Sequence, residues 1–136
     1  MSHISKCKEV FNDKESIQKA AVALGLTFTE CTEFRYYQNQ LEPCAFKLSV
    51  PGNAEAYECG FESNPDGTFT LKYDSFMGGY GLMEVLGEQD AGRFKAEYKY
   101  ERTKKVARNR GVRFREDRVR GKDGRMKRRL LATVRR

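Results

Sequence analysis

Three short runs in the middle of the chain alternate apolar and polar residues, and this period of two constrains the fold more than any other feature. The runs lie at 46–50, 57–61 and 69–73. Their connections contain Pro51-Gly52-Asn53 and Asn64-Pro65-Asp66-Gly67, whose proline and glycine are typical of β-turns. Alternation of this kind predicts half-buried strands. We therefore expect a three-stranded antiparallel meander.

The inward-facing side chains of this meander are expected to meet in rows across the strands, because directly opposed residues share a face. One row is predicted to hold Leu48, Cys59 and Leu71, and another to hold Phe46, Phe61 and Phe69. We expect both rows to be core, with Phe46, Leu48, Phe61, Phe69 and Leu71 buried together. Solvent-facing Cys59 and Leu71 would contradict the register.

The flanking segments predict further elements of both kinds. A strand is expected over His3–Phe11, and a short amphipathic helix capped by Asp13 or Ser16 is expected to end at Gly25. A second strand begins at Leu26 and runs towards Tyr36 and Tyr37. The remaining predictions are an irregular segment at 74–86, a longer charged helix from Asp90 to Gly111, and two strands at 112–115 and 130–134 joined through 121–124.

Together these elements predict an α+β fold: an antiparallel sheet with a central three-stranded meander, two helices on one side and a C-terminal β-hairpin. A length of 136 residues is typical of one domain. We expect residues 1–136 to form a single domain with a basic C-terminal third, about 91–136.

Composition places the chain among globular proteins and away from membranes. Apolar residues make up 39% and charged residues 33%, and no long uncharged apolar run is present. The first residues lack the apolar stretch and cleavage site of a secretory signal. We expect a cytoplasmic protein, or one of the plastid stroma if it is plastid-encoded, with no membrane partner.

The four cysteines are too widely spaced for a paired Cys-x-x-Cys motif, so we expect them to be reduced and packed, with no cofactor. One alternative stays open. The only histidine lies four residues before the first cysteine, and a zinc site would form if the strands converged. Its ligands would be His3, Cys7, Cys44 and Cys59.

Charge is distributed unevenly along the chain. Residues 1–90 carry seven Lys and Arg against fourteen Asp and Glu, whereas residues 91–136 carry nineteen against five. A basic block of this size favours a polyanionic partner, RNA or DNA, or an acidic protein surface. The alternative is that acidic residues of the same molecule neutralise it, among them Glu97, Glu101, Glu116 and Asp117.

The terminal hairpin is predicted to be apolar on one face and cationic on the other. Alternation along the two strands places Arg113, Arg115, Lys127 and Arg129 on one face, and the preceding helix is itself basic. The other face is predicted to hold Val112, Phe114, Leu130, Ala132 and Val134. Such a ribbon can follow a phosphate backbone. It has no exposed aromatic set for stacking bases, so base-specific recognition is not expected. The predicted polyanion-binding residues are Arg108, Arg110, Arg113, Arg115, Lys127 and Arg129.

No motif of a known enzyme class is present: the chain lacks a nucleophile elbow, a P-loop, an HExxH sequence and a paired-cysteine site. We therefore predict no catalytic, cofactor-binding or metal-binding residues. An enzyme that uses the loop Gly78–Gly81 with Asp74 or Glu84 remains an alternative.

The sequence also resembles a known family. The likeness rests on Met1-Ser2-His3, Leu24-Gly25-Leu26, Pro43-Cys44-Ala45, the segments 57–61 and 66–74, the glycine-rich turn, Tyr98 and the segment 107–111. These resemble a domain-of-unknown-function family with cyanobacterial, plastid, bacterial and phage members, whose plastid form is called hypothetical chloroplast reading frame thirty-five. This chain departs from it in its arginine-rich ending and in Ser75-Phe76.

The resemblance implies no catalytic residues, and because bacterial members often lie near an AAA-type ATPase it implies an accessory role. We expect a non-enzymatic binding protein whose basic third docks a polyanion such as RNA or DNA. The alternative is an adaptor or regulator that binds an acidic surface of a larger machine such as that ATPase.

Overall fold

The structure is a computed structural model and describes residues 4–120 and 126–133. The fold is mixed α+β, as expected. Its helices are α1 (Lys14–Ala23), α2 (Leu82–Leu86) and α3 (Gly92–Asn109). Its strands are β1 (Ser5–Phe11), β2 (Thr27–Glu30), β3 (Glu33–Arg35), β4 (Leu41–Pro43), β5 (Phe46–Ser49), β6 (Cys59–Ser63), β7 (Phe69–Tyr73), β8 (Arg113–Arg120) and β9 (Met126–Thr133).

Five strands form one antiparallel sheet in the order β1-β7-β6-β5-β2. The predicted meander is its centre, since β5, β6 and β7 are consecutive neighbours. The β5–β6 register is the predicted one, with Phe46 opposite Phe61 and Leu48 opposite Cys59. The alternation therefore identified both the strands and their first pairing.

The predicted register between β6 and β7 is wrong by two residues. Phe61 lies opposite Leu71 instead of Phe69, and Ser63 lies opposite Phe69. The connecting turn sets this register, because the Asn64 N–H donates to the Thr68 carbonyl at 2.8 Å and the Thr68 N–H donates to Asp66 at 3.0 Å. A two-residue shift leaves each side chain on its predicted face.

Burial confirms the predicted face. Phe46, Leu48, Cys59, Phe61 and Leu71 are at most 1% exposed. Phe69 is only partly buried, because it lies beside the turn, but its ring packs edge-on against Phe46 with centroids 5.0 Å apart. The meander therefore supplies the core against which the other elements of this region pack.

Helix α1 starts where its cap was predicted. The Asp13 side chain accepts the Ser16 N–H at 3.1 Å, and the helix buries Ile17, Ala20 and Ala21 in the core. The first turns of α3 add Phe94 and Tyr98 to the same core cluster. The α1 prediction is confirmed, and the predicted second helix is α3.

The second strand is shorter than predicted and is followed by elements that the sequence did not indicate. β2 ends at Glu30, and the chain then forms the small antiparallel pair β3–β4, whose Phe34 is fully buried. The break is fixed by a hydrogen bond of 2.9 Å from the Cys44 N–H to the Thr32 carbonyl. Helix α2 is a further addition in the segment predicted to be irregular.

The chain divides into two compact units, one up to Tyr98 and one from Lys99 onward. The sheet β1-β7-β6-β5-β2 belongs to the first unit, and the β8–β9 ribbon belongs to the second. The boundary falls within the sequence of α3. The prediction of one domain over 1–136 stays a prediction.

Candidate functional site

The predicted polyanion-binding residues follow one another closely at the join between α3 and β8. The helix ends in a left-handed glycine, Gly111, with φ of 71°. The Gly111 N–H donates to the Arg108 carbonyl at 3.1 Å, and the Val112 N–H donates to the Ala107 carbonyl at 2.9 Å, which is a Schellman motif. This cap stops the helix and allows the chain to enter β8 directly.

Four of the six predicted residues present guanidinium groups to solvent. Arg108, Arg110, Arg113 and Arg115 are all exposed. Within the part of the chain that the structure describes, none of the four forms a hydrogen bond or an ion pair through its side chain. We call these four residues the arginine cluster. Their charges are therefore available to an external anion.

The register of the hairpin groups the predicted basic positions but does not separate charge as predicted, because Arg118, Arg120 and Arg128 share the other face with Phe114. In the β8–β9 pair, Arg115 lies opposite Leu131, Asp117 opposite Arg129 and Val119 opposite Lys127. Positions 113, 115, 127 and 129 therefore share one face of the ribbon.

The remaining two predicted residues differ from the arginine cluster. Arg129 is exposed but already has an interaction partner within the chain. The side chain of Lys127 lies outside the described part. Of the six predicted residues, the four of the cluster are therefore the ones that the structure describes as exposed and without an interaction partner in the described part.

Two of the four acidic side chains expected to neutralise the basic third do so in part, because Glu101 and Glu116 both pair with Lys104 of the same third. Lys104 Nζ lies 2.9 Å from Glu116 Oε1 and 3.2 Å from Glu101 Oε1. The bond to Lys104 lowers the pKa of Glu116. Burial by itself would lower the pKa of Lys104. The hydrogen bonds of Lys104 to Glu116 and Glu101 outweigh burial, so the pKa of Lys104 is raised. Both carboxylates are thus engaged by Lys104.

Two cations contact the ring of Tyr100 beside this ion pair. The ring of Tyr100 has the Lys104 ammonium 5.0 Å from its centroid and the Arg128 guanidinium carbon 4.4 Å from it. Tyr100 and Lys104 belong to α3, whereas Arg128 belongs to β9. The contact of Arg128 with Tyr100 and the Lys104–Glu116 bridge attach the hairpin to the helix within the second unit.

The structure describes no group of three or more His, Cys, Asp and Glu side chains suited to a metal ion over 4–120 and 126–133. Cys44 has its sulfur 3.8 Å from that of Cys31, and burial with this neighbour raises the pKa of Cys44 to about 12. Cys7 lies against Asp90 at 3.7 Å. The zinc alternative depends on His3, which lies outside the described residues.

The glycine-rich loop is an ordered left-handed turn. Met77, Gly78, Gly79 and Tyr80 all have φ between 51° and 66°. The Gly78 N–H donates to the Ser75 carbonyl at 2.9 Å, and Asp74 is 1% exposed and accepts the Phe76 N–H at 2.9 Å. The loop directs aromatic side chains to the surface, where they line a groove that the sequence did not reveal.

Comparison of the chain with protein-family models, with curated proteins and with solved structures gives no match. The family resemblance therefore stays a prediction. None of the helices in the described part is both long and apolar enough to cross a membrane.

Proposed function

We propose that this protein binds RNA or DNA through the arginine cluster, mainly by contacts to phosphates. The supporting observation is that Arg108, Arg110, Arg113 and Arg115 are exposed and form no ion pair in the described part. Guanidinium groups bind phosphate oxygens with two parallel hydrogen bonds. Neutralising phosphates also releases condensed counterions, which favours binding at low salt.

Electrostatics supports the second unit over the first as the binding surface. Residues 99–136 carry seventeen Lys and Arg against four Asp and Glu, whereas residues 1–98 carry nine against fifteen. A phosphate backbone is attracted to the former and repelled by the latter. Contacts of this kind position a nucleic acid and carry little sequence information.

The test is the salt dependence of binding to a fluorescent single-stranded RNA and to a DNA duplex, each in two unrelated sequences. Four phosphate contacts predict a slope of log K against log salt of about −3 to −4 for the duplex. We expect the variant Arg108→Gln, Arg110→Gln, Arg113→Gln, Arg115→Gln to bind at least tenfold more weakly at about 0.1 M salt and to show a shallower slope.

The matched control removes four positive charges from the first unit. It carries Lys6→Gln, Lys8→Gln, Lys14→Gln and Lys19→Gln, so its net charge equals that of the arginine variant. We expect it to bind nearly as the parent protein does. Equal weakening by both variants would reduce the proposal to a general charge effect, and unchanged binding by the arginine variant would overturn it.

A further inference from the structure

A groove of about 700 Å³ lies in the first unit, far in sequence from the arginine cluster. Three separate segments supply its walls: residues 35–39 after β3, residues 54–57 before β6, and the turn at 76–80. Its volume is within the range of ligand sites. Its five aromatic lining residues are Tyr36, Tyr37, Tyr57, Phe76 and Tyr80.

Strained backbone is concentrated around this groove. Among the described residues, six other than glycine have positive φ, and Gln38, Asn39, Met77 and Tyr80 are four of them. Three of these four line the groove directly. Left-handed φ is costly for residues with side chains and persists where surrounding contacts hold it, often at ligand sites.

Hydrogen bonds hold both strained turns in place. The Tyr57 N–H donates to the Gly79 carbonyl at 2.9 Å, and Asn53 donates to the Tyr80 carbonyl at 3.1 Å. On the opposite side, the Tyr36 N–H donates to the Gln40 carbonyl at 2.9 Å. The groove is therefore preformed, which reduces the entropy lost on binding.

The aromatic rings form two angled pairs. Tyr37 and Phe76 have centroids 5.1 Å apart at 77°, and Tyr57 and Tyr80 have centroids 5.4 Å apart at 59°. The rings of each pair contact one another, and the ring surface that they leave uncovered forms an apolar part of the groove wall. Phe76 and Tyr80 are 38% and 44% exposed, so apolar surface is available to a partner.

The charged residues that line the groove favour an occupant whose backbone carries no charge. Arg35 donates to the carbonyls of Ala54 and Ala56 at 3.2 and 2.6 Å, and the lining contains one acidic residue, the exposed Glu55. Arg35 would repel a small cation, whereas Glu55 and the acidic first unit would repel a polyanion. An uncharged segment is compatible with both.

Tyrosine hydroxyls provide hydrogen-bond donors to such a segment. In the described part, the hydroxyls of Tyr36, Tyr57 and Tyr80 form no hydrogen bond within the chain. Burial, together with the nearby Tyr80 and Asp74, raises the pKa of Tyr57, so its hydroxyl remains a donor at neutral pH. These donors suit carbonyl groups that lack partners of their own.

We propose that the groove binds a proline-rich peptide in the polyproline II conformation. Such a helix has three residues per turn and no internal hydrogen bonds, so prolines three apart share a face while its carbonyls remain free. The two ring pairs would each take a proline, the tyrosine hydroxyls would donate to the carbonyls, and Glu55 would pair with a basic residue at one end. The three prolines of this chain are isolated from one another, so no segment of residues 1–136 has this pattern.

The test is a titration of the full chain with a blocked proline-rich peptide of about ten residues that ends in arginine and has prolines three apart. The chain has no tryptophan, so quenching or enhancement of tyrosine fluorescence reports on the groove, and backbone NMR shifts locate the site. We expect saturable binding below about 1 mM, with shifts at residues 35–39, 54–57 and 76–80.

Two variants identify the contacts. Tyr37→Ala with Tyr80→Ala is expected to weaken binding at least tenfold, whereas Val22→Ala, an exposed apolar control on α1, leaves it unchanged. Glu55→Gln is expected to weaken binding of the arginine peptide but not of its alanine-ended counterpart. Because Glu55 is exposed, Glu55→Gln should not disturb folding. It therefore still tests the proposal if the double tyrosine variant unfolds.

Several outcomes would overturn the proposal. They are the absence of binding by any proline-rich peptide at about 1 mM, equal binding of a scrambled peptide without proline, and shifts confined to residues outside the groove. Tetramethylammonium, a nucleoside or a disaccharide that bound the groove in preference to the peptide would assign it to another class of ligand. None of these results depends on whether the arginine cluster binds nucleic acid.

Discussion

Gly60 lies in the middle of the central strand β6, where two side chains approach its backbone closely. A methyl group at this position would lie 2.8 Å from Cys44 Cβ and nearer still to the ring of Phe34. Phe34 is fully buried, so it has little freedom to move away. The missing side chain therefore lets β3 pack against the sheet.

We predict that Gly60→Ala lowers the free energy of unfolding by roughly 1–3 kcal/mol, because overpacking here must displace a buried ring. Denaturant unfolding followed by circular dichroism measures the change. The control is Gly92→Ala in α3, where an added methyl group meets nothing within 4 Å and φ is not positive. That substitution should be neutral or stabilising. Equal stability of the two variants would contradict the packing argument.

At the scale of elements, the β8–β9 ribbon is attached to α3 by the ring of Tyr100. The ring contacts both the Lys104 ammonium and the Arg128 guanidinium, and Lys104 also bridges to Glu116. A two-stranded ribbon by itself is marginally stable in water. Its order therefore depends on these contacts with the helix.

We predict that Tyr100→Ala increases amide hydrogen exchange of β8 and β9 by roughly tenfold, which corresponds to about 1.4 kcal/mol of local stability. Exchange measured by mass spectrometry should leave β5, β6 and β7 unchanged. Val106→Ala, a substitution elsewhere on α3, serves as the comparison. Unaltered protection of both strands in Tyr100→Ala would show that the cation–π contacts of Tyr100 do not hold the hairpin.

Over the whole molecule, opposite charges are separated along the chain. The basic residues of 91–136 repel one another, whereas the Lys104 bridges are attractive, and salt weakens both effects. Repulsion among the basic residues involves many more groups than the Lys104 bridges do. We therefore expect repulsion to determine how the stability of the second unit changes with ionic strength.

We predict that raising sodium chloride from about 0.02 to 0.5 M slows amide exchange in β8 and β9, because screening relieves repulsion over distances beyond a few ångströms. NMR exchange rates, with the β5–β7 amides as internal reference, measure the effect. Faster exchange at high salt would mean that attraction between acidic and basic residues of the same molecule dominates, and it would weaken the proposed function.

Local pattern alone was sufficient for features whose energetics involve only neighbouring residues. A period of two in 46–73 identified the buried face of each meander strand. Successive side chains point to opposite faces of a strand, and only one of these faces is apolar. Gly111 marked the end of α3 because its left-handed φ of 71° suits a residue without a side chain. The alternation in the hairpin likewise placed Arg113 and Arg115 on one face.

Tertiary structure decided the features that depend on distant groups. The β6–β7 register followed from hydrogen bonds of Asn64 and Asp66 to Thr68, which the turn composition did not specify. The arginines of the cluster were recognisable in the sequence, but only the structure shows that, among the described residues, Glu101 and Glu116 pair with Lys104 and not with the cluster. The tyrosine-lined groove had no periodic signal, because its walls come from three segments that only packing brings together.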